Sequence, residues 1–221
     1  AMVGIPELEA EQRSTKPNWW DEMKEGFATL RRNEGLFALL MVGTLYMLIY
    51  MPINALYPLM SMDYFGGTPV HLSITESAYA FGMLVGGLVL GLAGSVKKRI
   101  PLVAGSIMMM GLSLAVSGLL RPSQFIVFAV CCAAMGLSVP FFSGIHTALF
   151  QERISPEYLG RVFSLTGSIM SLSMPLGLMI SGIFADGVGV QRWFLLSGIV
   201  IIGVSMLCVA LPAIRDLDRT T

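Results

Sequence analysis

A chain of 221 residues with 55% hydrophobic and only 13% charged side chains carries about half the charge of an ordinary soluble domain, which runs near 25%. Fourteen basic residues balance fourteen acidic ones, so net charge offers no electrostatic footprint for nucleic acid. A mean hydropathy of +0.74 is too high for one water-surrounded core, and the expected solvent is a lipid bilayer, in which every backbone polar group has to be paired internally.

The chain opens with residues 1–17, which are polar and contain Pro6 and Pro17. They are expected to form a flexible cytoplasmic linker. No signal peptide is visible, because the first apolar stretch follows about 35 polar or mixed residues. Over residues 18–33, Trp19, Trp20, Met23, Phe27 and Leu30 recur at helical spacing, with Asp21, Glu22, Lys24, Glu25, Arg31 and Arg32 on much of the other face. Asn18 is the expected N-cap, with acids in the first turn behind it. Such a helix lies along a membrane surface with its tryptophans at headgroup depth; the alternative is a soluble helix packed on a partner domain.

Six apolar stretches follow, at roughly 36–60, 73–95, 101–120, 124–149, 161–185 and 193–213. Each has the ~20 residues that a helix needs to cross about 30 Å of hydrocarbon, whereas barrel strands alternate over about 10 residues. The expected fold class is an all-α bundle of six transmembrane helices over residues 34–214, ending in a cytoplasmic tail at 215–221. Placing the N-terminus inside puts Arg13, Lys16, Lys24, Arg31, Arg32, Lys97, Lys98, Arg99, Arg153, Arg161, Arg215 and Arg219 on the cytoplasmic side, and only Arg121 and Arg192 outside. Without the distant Arg13 and Lys16 the ratio is still ten to two, a positive-inside bias that sets both termini in the cytoplasm of a cell-membrane protein.

Within the first span, Tyr46, Tyr50, Asn54 and Tyr57 fall within about 80° of one another at 100° per residue. A lipid-facing stripe has no use for an asparagine, so this face either lines a wet cavity or makes interhelical hydrogen bonds. Gly82, Gly86, Gly87 and Gly91 in the second span give overlapping small-xxx-small registers for close helix packing. Glu76 stands about one turn inside that span; it is a candidate for proton handling, or it snorkels to the interface. Pro140 interrupts the fourth span just before Phe141, Phe142 and His146. Broken helices border transport cavities, and His146 is either a second proton candidate or a plain hydrogen-bonding residue. In the fifth span Ser164, Ser168 and Ser171 share a face ahead of Pro175 and Gly177, consistent with close packing or a polar lumen. Cys131, Cys132 and Cys208 lie in apolar stretches and read as small packing residues.

Soluble catalytic patterns are missing from the sequence: two histidines, no H-E-x-x-H, no P-loop and no G-x-S-x-G. A membrane serine protease needs as little as one Ser and one His, but the expectation is a chain that is not an enzyme, with neither metal nor cofactor.

Two cytoplasmic loops carry a family likeness. Gly91-Leu-Ala-Gly-Ser-Val-Lys-Lys-Arg99 resembles the glycine-and-basic loop motif of the major facilitator superfamily, with its aspartate replaced around Gly94 and Ser95. Gln151-Glu-Arg-Ile-Ser-Pro-Glu-Tyr-Leu-Gly-Arg-Val-Phe-Ser164 resembles the loop between helices ten and eleven in the macrolide-efflux-like branch of that superfamily. Asn54-Ala-Leu-Tyr-Pro58 and Gly182-Ile-Phe-Ala-Asp186 are similar to that branch too.

The resemblance implies the second, six-helix half of a twelve-helix transporter. Its substrates would be bulky amphiphiles such as macrolides, expelled in exchange for protons. It implies that Lys97, Lys98, Arg99, Glu152 and Arg161 form a cytoplasmic loop gate, and that Tyr46, Tyr50, Asn54, Tyr57, Phe141 and Phe142 line the half-cavity. The expected partners are lipid, an amphiphilic small molecule, and either a missing N-terminal half or further copies of the chain. The alternative reading is a stand-alone accessory membrane protein that self-associates.

Overall fold

The computed structural model describes residues 19–94 and 98–218. Asn18, the 1–17 segment and Lys97 lie outside the described residues. The elements are α1 (Trp19–Arg32), α2 (Glu34–Leu59), α3 (Pro69–Ala93), α4 (Arg99–Leu119), α5 (Phe125–Arg153), α6 (Pro156–Val188), α7 (Val190–Ala210) and the one-turn α8 (Pro212–Arg215). Six of these are long and apolar enough to span a membrane, and no strand occurs among the described residues. The chain is an all-α membrane protein.

Local chemistry sets the helix ends. The Asn33 carboxamide accepts from the Leu36 N–H at 3.2 Å and starts α2. α2 passes through Pro52 and Pro58 and closes in a π-helical turn at Met60–Tyr64. α3 starts four residues earlier than its apolar run because the His71 ring takes up the Thr68 N–H at 3.1 Å, with Pro69 at the first helical position. α5 runs on to Arg153 and α6 begins at Pro156, so both extend into the polar loop that hydropathy alone assigns to a connection. Pro156 explains the α6 start, since its missing N–H is no loss there.

The helices pair as α4 with α7, α3 with α5, α4 with α5 and α2 with α6, while α1 lies against α6. Glycine permits the tightest of these approaches. A Cβ on Gly86 would stand 2.5 Å from the Leu137 carbonyl oxygen, and one on Gly118 or Gly198 would run into the backbone of Leu195 or Ala115. Ser205 adds a hydrogen bond across the α4–α7 seam, donating to the Ala104 carbonyl at 2.7 Å. At the end of the bundle where α4 stops, the Leu120 carbonyl accepts from the Tyr64 hydroxyl at 2.6 Å and from Gln191 at 3.0 Å, tying α2, α4 and α7 together. α3 buries only a narrow strip: Phe81, Leu84, Leu88 and Leu92 are all exposed, Leu92 by 87%.

Candidate functional site

A cavity of about 240 Å³ opens where α2, α3 and α5 meet. α2 lines it with Tyr50, Ile53, Asn54, Tyr57 and Pro58, α3 with Glu76 and Tyr79, and α5 with Met135. The stripe on α2 and the acid on α3 therefore converge on one space. The Tyr50 and Tyr79 hydroxyls share a hydrogen bond of 2.6 Å across it. Glu76 is exposed and makes no ion pair among the described residues. The Tyr57 ring lies 5.8 Å from that of Phe128, and its buried hydroxyl, with no hydrogen bond of ordinary geometry, faces the Thr75 hydroxyl and Cys132 thiol.

The remaining cavity candidates stand further back. Tyr46 is buried, stacked on Tyr50 at 5.6 Å and packed on Phe142 at 4.7 Å, so this pair supports the wall from behind. Phe141 is half-buried and packs against the core. Sequence reasoning missed Tyr79, although its spacing of three from Glu76 puts both on one face of α3.

His146 occupies a different place, in an aromatic stack between Phe142 at 5.5 Å and Phe150 at 4.6 Å. Its Nε2 is buried without a hydrogen-bond partner, close under Gly43, whose added Cβ would stand 3.5 Å from it. Of the four glycines on α3, Gly82 and Gly86 abut α5, whereas a side chain on Gly87 or Gly91 would meet no described atom within 4 Å. The three cysteines are buried and unbridged.

At the end of the bundle where α4 starts, Arg99 pairs with Glu152, joining α4 to α5. Arg161 pairs with Glu25 at 2.5 Å, joining α6 to α1. Lys98 is exposed at the N-cap of α4. Asp218 caps α4 from a distance: its carboxylate accepts from the backbone N–H groups of Arg99 at 3.0 Å and Ile100 at 3.2 Å. A carboxylate at a helix N-terminus satisfies donors that have no partner inside the helix and favours the dipole. Arg153 fixes the same turn by donating to the Leu217 carbonyl at 2.5 Å. The turn at Asp216–Asp218 thus clasps the ends of α4 and α5 and places a carboxylate at the start of α4.

Residues 38–219 match the family described as Major Facilitator Superfamily. This chain belongs to the major facilitator superfamily. Macrolide efflux protein A of Streptococcus pyogenes is 64% identical over 218 residues, 99% of this chain and 54% of the relative. Macrolide efflux protein A of Enterococcus faecalis is 67% identical over 177 residues, 80% of this chain and 55% of that protein. Multidrug efflux pump Tap of Mycobacterium tuberculosis is 31% identical over 172 residues, 77% of this chain and 40% of Tap. The chain spans about half the length of the macrolide relatives that it matches. Within the superfamily its likeness is to the macrolide-efflux-like branch.

Proposed function

We propose that this chain is the C-terminal half of a secondary efflux transporter for bulky amphiphiles such as macrolides, working by alternating access and driven by proton antiport. Its spans then correspond to helices seven to twelve of a cell-membrane protein with both termini in the cytoplasm. The observation that carries the reading is the cavity at α2, α3 and α5, where aromatic, amide and carboxylate groups face a common space inside an otherwise apolar bundle. Relatives named as macrolide and multidrug efflux proteins, about twice as long, support it.

In this scheme Tyr50, Asn54 and Tyr57 line the half-cavity, with Tyr46, Phe141 and Phe142 behind them. Glu76 is the first group to exchange protons and His146 the second. The Arg99–Glu152 and Arg161–Glu25 pairs, with Lys97 and Lys98, hold the cytoplasmic gate. The exposed apolar face of α3, with Gly87 and Gly91, is covered by the other six-helix half; a second copy of the chain is the alternative occupant. The test is drug accumulation in cells expressing the full-length gene. Asn54→Ala and Glu76→Gln should each abolish drug-dependent efflux at equal expression, and unchanged efflux in both removes this cavity from the transport path.

A further inference from the structure

A second recess lies on the other face of α2. Pro52 stands about 160° round that helix from both Tyr50 and Asn54, at about 100° per residue. With Ile49 it floors a groove of about 320 Å³ between α6 and α7, both of which pack on α2. Gly177 closes one side, so tightly that an added Cβ would stand 2.6 Å from the Leu48 carbonyl oxygen. Trp193, Leu196 and Val200 make the other wall at helical spacing. Leu196 and Val200 are each 48% exposed, so the groove is open along a face that hydrocarbon chains surround in a bilayer. From Trp193 to Val200 is a rise of about 10 Å, which fits inside the ~15 Å of one leaflet of the hydrocarbon core.

Directly before Trp193 the character changes. A shallower recess of about 380 Å³ at the start of α7 is lined by Asp63 and Tyr64 of the π-helical turn and by Gln191 and Arg192. The Tyr64 hydroxyl and the Gln191 amide are both engaged by the Leu120 carbonyl. That leaves Asp63 and Arg192, both exposed, and among the described residues neither is in an ion pair. One carboxylate and one guanidinium thus stand over one apolar groove.

We propose that this seam of α2 and α7 seats one phospholipid with a zwitterionic, N–H-bearing headgroup, its ammonium on Asp63, its phosphate on Arg192 and an acyl chain in the groove behind Pro52. Arg192 belongs to the first turn of α7, where the unpaired N–H groups of a helix start also favour a phosphate. A headgroup of purely negative charge would meet the Asp63 carboxylate, and a soluble zwitterion would leave the groove unfilled; a single lipid answers both recesses. Trp193 lies between them at the fourth position of α7, a depth at which indole rings mark the membrane interface. The chain so placed backs α2 on the side turned away from the cavity. The proposal goes beyond the efflux reading and needs only that the spans lie in lipid.

The experiment is fluorescence quenching of the full-length protein in phosphatidylcholine nanodiscs that carry rising fractions of phosphatidylethanolamine or phosphatidylcholine brominated in the upper part of one chain. The Trp193 signal is the difference between the native protein and Trp193→Phe. Phosphatidylethanolamine should quench it at about a threefold lower mole fraction than phosphatidylcholine does. Arg192→Gln and Asp63→Asn, each measured against its own Trp193→Phe counterpart, should erase that preference, and Arg192→Lys, which keeps the charge, should retain it. Absence of Trp193 quenching by either lipid, the result if the other half or a second copy covers the groove, overturns the proposal. Equal quenching by both lipids, or a preference that survives either Arg192→Gln or Asp63→Asn, overturns it as well.

Discussion

Replacing Asp218 by alanine tests whether the C-terminal turn holds the start of α4. In the structure one carboxylate takes up two backbone N–H groups, at 3.0 Å from Arg99 and 3.2 Å from Ile100. Loss of an N-cap acceptor costs about 0.5–2 kcal/mol. The charge of the carboxylate argues for the upper half of that range, and access of water to the vacated donors keeps it from going higher. A local cost of about 1–2 kcal/mol corresponds to a five- to thirtyfold shift in the opening equilibrium. Hydrogen exchange followed by mass spectrometry on a peptide covering the first turn of α4 should show amide exchange accelerated by that factor in Asp218→Ala. Asp218→Asn, which still accepts hydrogen bonds, should fall between it and the native chain. Protection of that turn unchanged in Asp218→Ala would mean that the clasp contributes nothing and that the reasoning from the cap is wrong.

Three further outcomes follow from other contacts. A Cβ on Gly82 would overlap the Ala133 carbonyl, so Gly82→Leu should force α3 off α5 and lower stability by more than the ~1–3 kcal/mol usual for overpacking; Gly87→Ala, facing open space in this chain, should leave detergent unfolding curves of the isolated chain unchanged. Replacing His146 by phenylalanine removes a buried nitrogen without a partner and keeps the aromatic stack, so melting temperature should hold or rise, and a fall of several degrees would show that Nε2 is satisfied in the membrane. The exposed Arg161–Glu25 pair should give a double-mutant coupling under about 1 kcal/mol that shrinks in high salt, read as the protection of α1 against exchange.

The six spans were legible in the sequence because each is a long apolar run, and no tertiary detail is needed to see that lipid surrounds it. That α1 is a helix was equally plain, since Phe27 and Leu30 recur among charges at helical spacing. Helix ends were less so. Hydropathy stops where side chains turn polar, but α5 and α6 keep their backbone ladders past that point, to Arg153 and from Pro156. For the cavity, periodicity on α2 was enough to align Tyr50, Asn54 and Tyr57, yet it could not tell the layer that faces the space from the layer of Tyr46 and Phe142 that supports it. That distinction depends on how deep each ring sits against α5, which is set by contacts between helices far apart in sequence. Asp218 was out of reach for the same reason: its partners are more than a hundred residues away, and nothing local marks it as a cap.

α2 has a consequence for how this bundle deforms. Between Pro52 and Tyr64 the regular ladder of α2 and the turn that closes it is broken by two prolines, Pro58 beside the cavity, and then widened by a π-helical turn. A helix with missing rungs bends there at lower cost than an unbroken one. α4 and α7, keyed together through Gly111, Gly118 and Gly198, have no side chains at those points to repack, and so resist sliding. The helix that lines the cavity is then the compliant member of the bundle, and the α4–α7 pair, whose α7 packs on it, is the stiff spine against which it flexes.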